Sequence, residues 1–208
     1  MSDTDLPKPV GCDLLEELFS SRVRAAVLCR ILPRPHLGFS LTEFSRVLGL
    51  PISSLQHECY KLERLGVLAG RREGNAYRYR GNPACELLPP LTAVVVAAIG
   101  VDEALRAAFA EVPGVEAAFL AGELPRKPGH GPVLLVVIGD LPLEELDALE
   151  GRPTAVLNLP PGAIELAYYR PDDWRAKMRQ ANPFVLSLLK ERRIELVAND
   201  GLIAPDAS

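Results

Sequence analysis

The sequence predicts an α+β protein of two units, the first helical and closed by a β-hairpin, the second a small α/β fold. Three observations carry that expectation. Apolar residues recur at helical spacing as far as Leu65 and then give way to a short alternating segment around Gly74-Asn75. Beyond Pro113, apolar runs of strand length interleave with helical stretches. The charge divides as well: Ser20 to Asn82 holds eleven Lys/Arg against four Asp/Glu, a local +7, whereas Pro83 to Ser208 carries −7 and Met1 to Phe19 −4. A cationic block joined to an acidic remainder points to a polyanionic partner for the first unit.

The 208 residues are 48% hydrophobic and 24% charged, enough apolar surface for a packed core and too much for a disordered chain. No apolar run reaches the length of a membrane span, and Met1 to Val10, rich in acids and prolines, is neither a signal nor a transit peptide. The expectation is a cytoplasmic protein with no membrane partner.

Leu14 to Leu32 reads as one long amphipathic helix, with Leu14, Leu15, Leu18, Val23, Val27, Leu28 and Ile31 on a face and Pro33 as its stop. A turn over residues 33–38 follows. Ser40 and Glu43 have capping-box spacing, so a helix opens at Leu41 and runs to Leu48. Gly49-Leu50-Pro51 breaks it, and a second helix spans Ile52 to Leu65 and ends at Gly66. Its apolar face is Leu55, Cys59, Leu62 and Leu65. Ser53, Ser54, Gln56, His57, Tyr60 and Lys61 occupy the rest. Helix, short break with glycine, helix is the helix-turn-helix layout. After a short strand at Val67-Leu68-Ala69, residues 71–80 form a two-stranded wing, with Tyr77 and Tyr79 alternating with Arg78 and Arg80.

In that layout the N-terminal part of the second helix meets base edges. Gln56 suits adenine, His57 and Lys61 can donate to guanine, and Ser53 and Ser54 bond to either. Arg71, Arg72, Asn75 and Arg78 on the wing are the candidate DNA contacts, where arginines can neutralise phosphates or enter a minor groove. The competing reading is a winged helix reused as a protein-interaction module. The segments LFSSRVRAAVLCRIL and FSLTEFSRVLGLPISSLQHECYKLERLGVLAGRREGNAYRYRGNP resemble the arsenic-repressor-like (ArsR-type) winged-helix regulators over about a third of the chain. The resemblance implies homodimerisation, through the long first helix and the helix after Pro90, and binding of double-stranded DNA at a two-fold symmetric operator, usually in repression. The cysteine motif of the metal-sensing members is missing, so metal sensing is not implied.

Cys12, Cys29, Cys59 and Cys85 form no Cys-x-x-Cys pair and no zinc spacing, and read as buried small hydrophobes. The rival is a metal or redox sensor built on Cys12, Cys29 or the His57/Cys59 pair. Two residues apart, His57 and Cys59 point to different faces of a helix.

Further along, a helix is expected from near Leu91, after Pro89-Pro90, to Gly100, and another from Asp102 to Glu111. Strands are expected at Val115–Ala121, Pro132–Gly139, Thr154–Leu159, Ala163–Arg170 and Ile194–Ala198. Helices are expected at Leu143–Leu149, Pro171–Gln180 and Asn182–Glu191. The resulting division is a flexible N-terminus over 1–13, a winged helix-turn-helix over 14–83, linking or dimerisation helices over 84–112, a second domain over 113–200 and a tail over 201–208.

The stretch AAFLAGELPRKPGHGPVLLVVIGD resembles the minimal nucleotidyltransferases, which carry a strand, a Gly-Ser turn, a loop and a strand bearing Asp-x-Asp. Here Glu123 replaces the serine, and Pro132 and Leu134 stand at the aspartate positions. Neither proline nor leucine ligates magnesium. The resemblance therefore implies a transferase-like fold without catalysis: no catalytic residue, no cofactor and no metal. Glu123 reads as a solvated loop charge, Asp140 as an N-cap-type residue, and Glu165 as a strand residue on an uncovered face. No carboxylate accompanies any of them at alternate spacing. His130, Arg126 and Lys127 receive no chemistry, and Trp174, Tyr168 and Tyr169 read as core.

The function these readings favour is a homodimeric DNA-binding transcriptional regulator. Its degenerate second domain would serve dimerisation or sense a small-molecule or protein effector. The alternatives are a nucleotidyltransferase tethered to DNA or to a partner, and an antitoxin-like interaction protein.

Overall fold

A computed structural model describes residues 12–122, 124 and 132–203. The chain forms two compact units that divide between Ala104 and Leu105. The first contains α1 (Cys12–Phe19), α2 (Arg22–Ile31), β1 (Phe39–Ser40), α3 (Leu41–Leu48), α4 (Ile52–Arg64), β2 (Leu68–Glu73), β3 (Ala76–Gly81) and α5 (Leu88–Ile99). This order, helix–strand–helix–helix–hairpin, is the winged helix-turn-helix arrangement.

The expected single helix over Leu14 to Leu32 is two helices. Ser20 turns the chain into the left-handed region at φ 48°, and the Ser21 hydroxyl, on extended backbone, accepts from Arg24 N and caps α2. A serine can satisfy the first-turn N–H groups of a new helix, so the apolar stripe continues across a corner. The capping box of α3 is present as expected: Ser40 Oγ accepts from Glu43 N, and Glu43 accepts from Ser40 N at 2.8 Å. The wing is not two-stranded. β1 adds to its edge in a β1-β3-β2 antiparallel sheet, pairing Phe39 with Tyr79 and Ser40 with Arg78. The helix after Cys85 starts at Leu88, earlier than expected, because Pro89 and Pro90 fall in its first turn, where a missing N–H costs nothing.

Leu15, Leu28, Ile31, Phe44, Leu55, Leu68 and Val95 form the buried centre of this unit, with Phe39 and Phe44 rings 5.2 Å apart. The core thus ties α1, α2 and α5 to the α3–α4 pair and its hairpin. Leu65, expected inward, is exposed: it lies beyond the last turn of α4, just before Gly66 (φ 74°) reverses the chain.

In the second unit a mixed sheet of order β6-β5-β4-β7 is built from β4 (Val115–Ala121), β5 (Val133–Gly139), β6 (Ile164–Tyr169) and β7 (Arg193–Val197). β4 runs antiparallel to β5 and β7, and β5 parallel to β6. The helices are α6 (Val101–Phe109, which crosses the division), α7 (Leu143–Leu157), α8 (Pro171–Arg179), α9 (Pro183–Lys190) and α10 (Asp200–Ile203). Ala117, Phe119, Ala121, Val136 and Ile138 pack against Trp174, Val185, Leu188, Leu202 and Ile203. The alternate residues Ala118, Leu120, Leu135 and Val137 are also fully buried, so both faces of the central strands are covered. Gly139 has no room for a side chain: a Cβ there would lie 2.1 Å from Gly114 O.

Several expectations fail in this unit. The helix at Leu143 does not stop at Leu149, and there is no strand over Thr154–Leu159. α7 runs through Pro153 to Leu157 because Leu149, Pro153 and Val156 continue one buried stripe, and Asn158 ends it in the left-handed conformation. Asp140 caps nothing. α7 opens after Pro142, and Asp140 stands exposed, its N–H donating to Gly114 O.

Candidate nucleic-acid interface

α4 presents a polar, exposed stripe. At 100° per residue, Ser53, Gln56, His57, Tyr60 and Arg64 fall within about 100° of arc, and all five are exposed. Leu55, Cys59 and Leu62 point the other way into the core. Ser54 and Lys61, at the margin, are half-buried. His57 and Cys59 do lie on different faces, one exposed and one fully buried.

Glu58 anchors the helix from behind. Only 7% exposed, it accepts from Arg24 Nε at 3.0 Å and from Lys61 Nζ at 3.1 Å. Burial works against its charge, but the bonds and charges of Lys61 and Arg24 outweigh it, and the carboxyl titrates below its usual range. A depressed carboxylate contributes stability above its unfolded pKa of about 4.3 and loses it as pH falls through the lower folded value. The first unit is therefore expected to lose the α2–α4 tie below about pH 4. Glu58→Ala, which strands two cations, should cost about 2 kcal/mol at neutral pH and progressively less as pH falls through the carboxyl's depressed folded value. Urea midpoints of variant and parent across that pH range check this.

The wing reaches α4 through one bridge. Tyr77 Oη donates to Glu63 Oε1 at 2.5 Å. The bond to a carboxylate acceptor raises the Tyr77 phenol above its ordinary pKa. Gly70 makes room for the bridge, since a Cβ there would lie 2.3 Å from both Glu63 and Tyr77. In the β2–β3 register Arg72 stands opposite Tyr77, and directly paired residues project from the same sheet face. Glu63 lies seven residues from Gln56, two turns along one helix face. Gln56, Glu63, Tyr77 and Arg72 are thereby placed on one side of the unit, with Gln56 and Arg72 both exposed.

Not every cation singled out in the sequence is available. Arg78 lies on the opposite face of the wing, where its guanidinium donates to Gly38 O and Glu43 Oε1, each at 2.7 Å, and pairs with Glu73 at 3.7 Å. It is a strut between wing and helix pair. Lys61 is held by Glu58. Arg71, next in sequence to Arg72, projects from the other face of the strand, and Asn75 is exposed at the hairpin tip. The four acids of the cationic block are all engaged internally: Glu43 by Arg78, Glu58 by Arg24 and Lys61, Glu63 by Tyr77, and Glu73 by Arg78 and Arg80. Among the described residues Arg46, Arg64, Arg71 and Arg72 have no ion-pair partner and are exposed. Arg64 is the residue the sequence reading missed. Its spacing from His57 and Tyr60 was the available signal.

In the second unit Trp174 and Tyr169 are core-facing neighbours, ring centroids 5.1 Å apart. Tyr168 points to the other sheet face, donating to Gly139 O and accepting from Leu141 N. Of the three rings expected in the core, Trp174 and Tyr169 pack together and Tyr168 stands apart from them. Glu165 is exposed. Among the described residues no group of three or more His, Cys, Asp or Glu side chains is placed to hold a metal ion. Glu123, Arg126, Lys127 and His130 lie outside the described residues. No single described helix is long and apolar enough to cross a membrane.

No family model matches the chain, and no curated protein matches it. Among solved structures the chain is similar to reduced HlyU from Vibrio cholerae N16961, with 22% identity over 42% of this chain and 83% of that one, at a TM-score of 0.32.

Proposed function

We propose that the chain is a DNA-binding transcriptional regulator, acting as a repressor, whose first unit reads the duplex with α4 and the wing. One observation carries this: an exposed helix stripe of hydrogen-bonding side chains and an unpaired wing arginine share a side of the unit, while Glu43, Glu58 and Glu73 are ion-paired internally and Glu63 is hydrogen-bonded to Tyr77. Ser53, Gln56 and His57 supply base-edge contacts, and Ser54 and Lys61 sit at the margin of that surface. Arg64, Arg71, Arg72 and Asn75 meet phosphates. Arg78 acts by holding the wing in place.

The active species is a homodimer on a two-fold symmetric operator. Its support is the outer surface of α1 and α5, where the apolar residues Leu14 (66% exposed), Leu18 (61%), Ala93, Val94 and Ala97 face outward, with Asp13 and Glu17 beside the two leucines. The second unit is a non-catalytic, transferase-like domain that serves dimerisation or takes an effector. The sequence supports this, with Pro132 and Leu134 where magnesium-binding carboxylates would be needed. An open groove of about 510 Å³ beside Tyr169, Arg170, Asp173, Lys177 and Gln180 has the size for a small effector.

The test is selection of genomic fragments by the purified protein at two salt concentrations. A shared palindromic motif is expected, bound more weakly as salt rises. Gln56→Ala should relax sequence preference while leaving the salt dependence intact. Recovery of no motif, or a Gln56→Ala protein with unchanged preference, overturns the assignment. Calorimetric titration with magnesium and a nucleoside triphosphate separates the enzymatic alternative, and no heat of binding is expected.

A further inference from the structure

Two cysteines set aside in the sequence as packing residues meet in the first unit. Cys12 opens α1 and Cys29 lies near the end of α2. Their sulfurs are 2.9 Å apart, within a core that leaves the residues 4% and 5% exposed. Seventeen positions separate them, and the corner at Ser20-Ser21 folds α1 back so that they face each other. From the sequence alone neither spacing nor motif pairs them.

Two chemistries are open to a pair of thiols in contact, a shared metal and a disulfide. Two thiolates on one tetrahedral metal, each about 2.3 Å from it, are held about 3.8 Å apart. A disulfide bond is about 2.05 Å. At 2.9 Å the sulfurs are in contact and stand about 0.9 Å from either separation, so the number of ligands decides between the two. No third ligating side chain completes a metal site among the described residues. We infer that Cys12 and Cys29 are a redox-active dithiol that a small oxidant converts to an intrachain disulfide, stapling α1 to α2.

The oxidant class is a hydroperoxide. One sulfur, as thiolate, attacks a peroxide oxygen. The O–O bond breaks, hydroxide leaves and takes up the proton that the thiol released, and a sulfenic acid remains. The second sulfur attacks that sulfenic sulfur, an S–S bond forms, and its thiol proton departs with the hydroxyl as a second water. In sum, two thiols and hydrogen peroxide give one disulfide and two waters. A dithiol reductant reverses the change by exchange. The hydrogen bond shared with Cys12 and burial push the Cys29 thiol well above its ordinary pKa. Little thiolate is present at neutral pH, so the reaction is slow.

The inference stands apart from the DNA reading, because its readout is covalent. Full-length protein is treated with hydrogen peroxide, quenched, denatured and alkylated, then digested and mapped by mass. The expected result is a loss of two alkylatable thiols, a peptide joining Cys12 to Cys29, and return of both thiols with dithiothreitol. The staple should also raise the melting temperature of the oxidised first unit by on the order of 10 °C. Cys12→Ala and Cys29→Ala should each abolish the linked peptide and the rise in melting temperature. Since either change is small, circular dichroism of the reduced variants shows whether they fold. Sulfinic acid on the separate cysteines, a disulfide between two chains, or a linked peptide involving Cys59 or Cys85 instead would overturn the inference.

Discussion

Removing Arg64 and Arg72 together, as R64A/R72A, is expected to weaken binding to every duplex by about 100-fold at 0.1 M salt. Each phosphate contact releases close to one counterion, so each lost contact costs about tenfold at that salt and lowers the slope of log K against log salt by about 0.9. The double variant should therefore flatten the slope by nearly two units while preserving the order of preference among sequences. Both side chains are exposed and lack an internal partner, so neither change should disturb folding. Arg78→Ala is the contrast. Its guanidinium holds Glu43 and Gly38 O, so its loss should appear first as lower stability. Fluorescence anisotropy across a salt series, with thermal melts alongside, decides both. A double variant with the parent's slope would remove α4 and the wing from the interface.

The second large effect concerns stability. Trp174→Ala should destabilise the second unit by about 3–5 kcal/mol, enough to unfold it near body temperature. The indole is fully buried, packs edge-on to Phe119 at 6.1 Å and beside Tyr169 at 5.1 Å, and its Nε1–H donates to Leu202 O at 2.6 Å. Alanine leaves a cavity and an unsatisfied carbonyl together. Trp174→Phe fills most of the volume and loses the donor, so the two variants separate packing from hydrogen bonding. Urea unfolding followed by circular dichroism gives both values. A cost below 1 kcal/mol for alanine would mean this core is not closed in solution.

How much could be read in advance follows from how local each signal is. α3 was legible to the residue because a capping serine, a glutamate three positions on and a terminal glycine all act within a turn. β5 was legible as an unbroken apolar run, and β4 as one interrupted only by Glu116. The corner between α1 and α2 was not, because Ser20 and Ser21 interrupt the chain without interrupting the apolar face. The helix expected to stop at Leu149 errs in the opposite direction, since α7 runs on through Pro153, whose buried ring outweighs its poor helix propensity. For the candidate interface, the helix stripe came from periodicity. The fates of Arg78 and Lys61 depended on acids 35 and 3 residues away, and the longer separation leaves no trace in a linear pattern.

Glu43 is the feature with the widest reach. The same carboxylate closes the cap that opens α3 and receives Arg78 from the middle strand of the wing, while Tyr77 and Glu63 fasten that wing to α4 from its other face. Pinned on both faces, hairpin and helix pair form a caliper with a fixed gap. If that caliper grips a duplex, the nucleic acid must do the yielding: operators should favour steps that bend and narrow cheaply, even at base pairs no side chain touches.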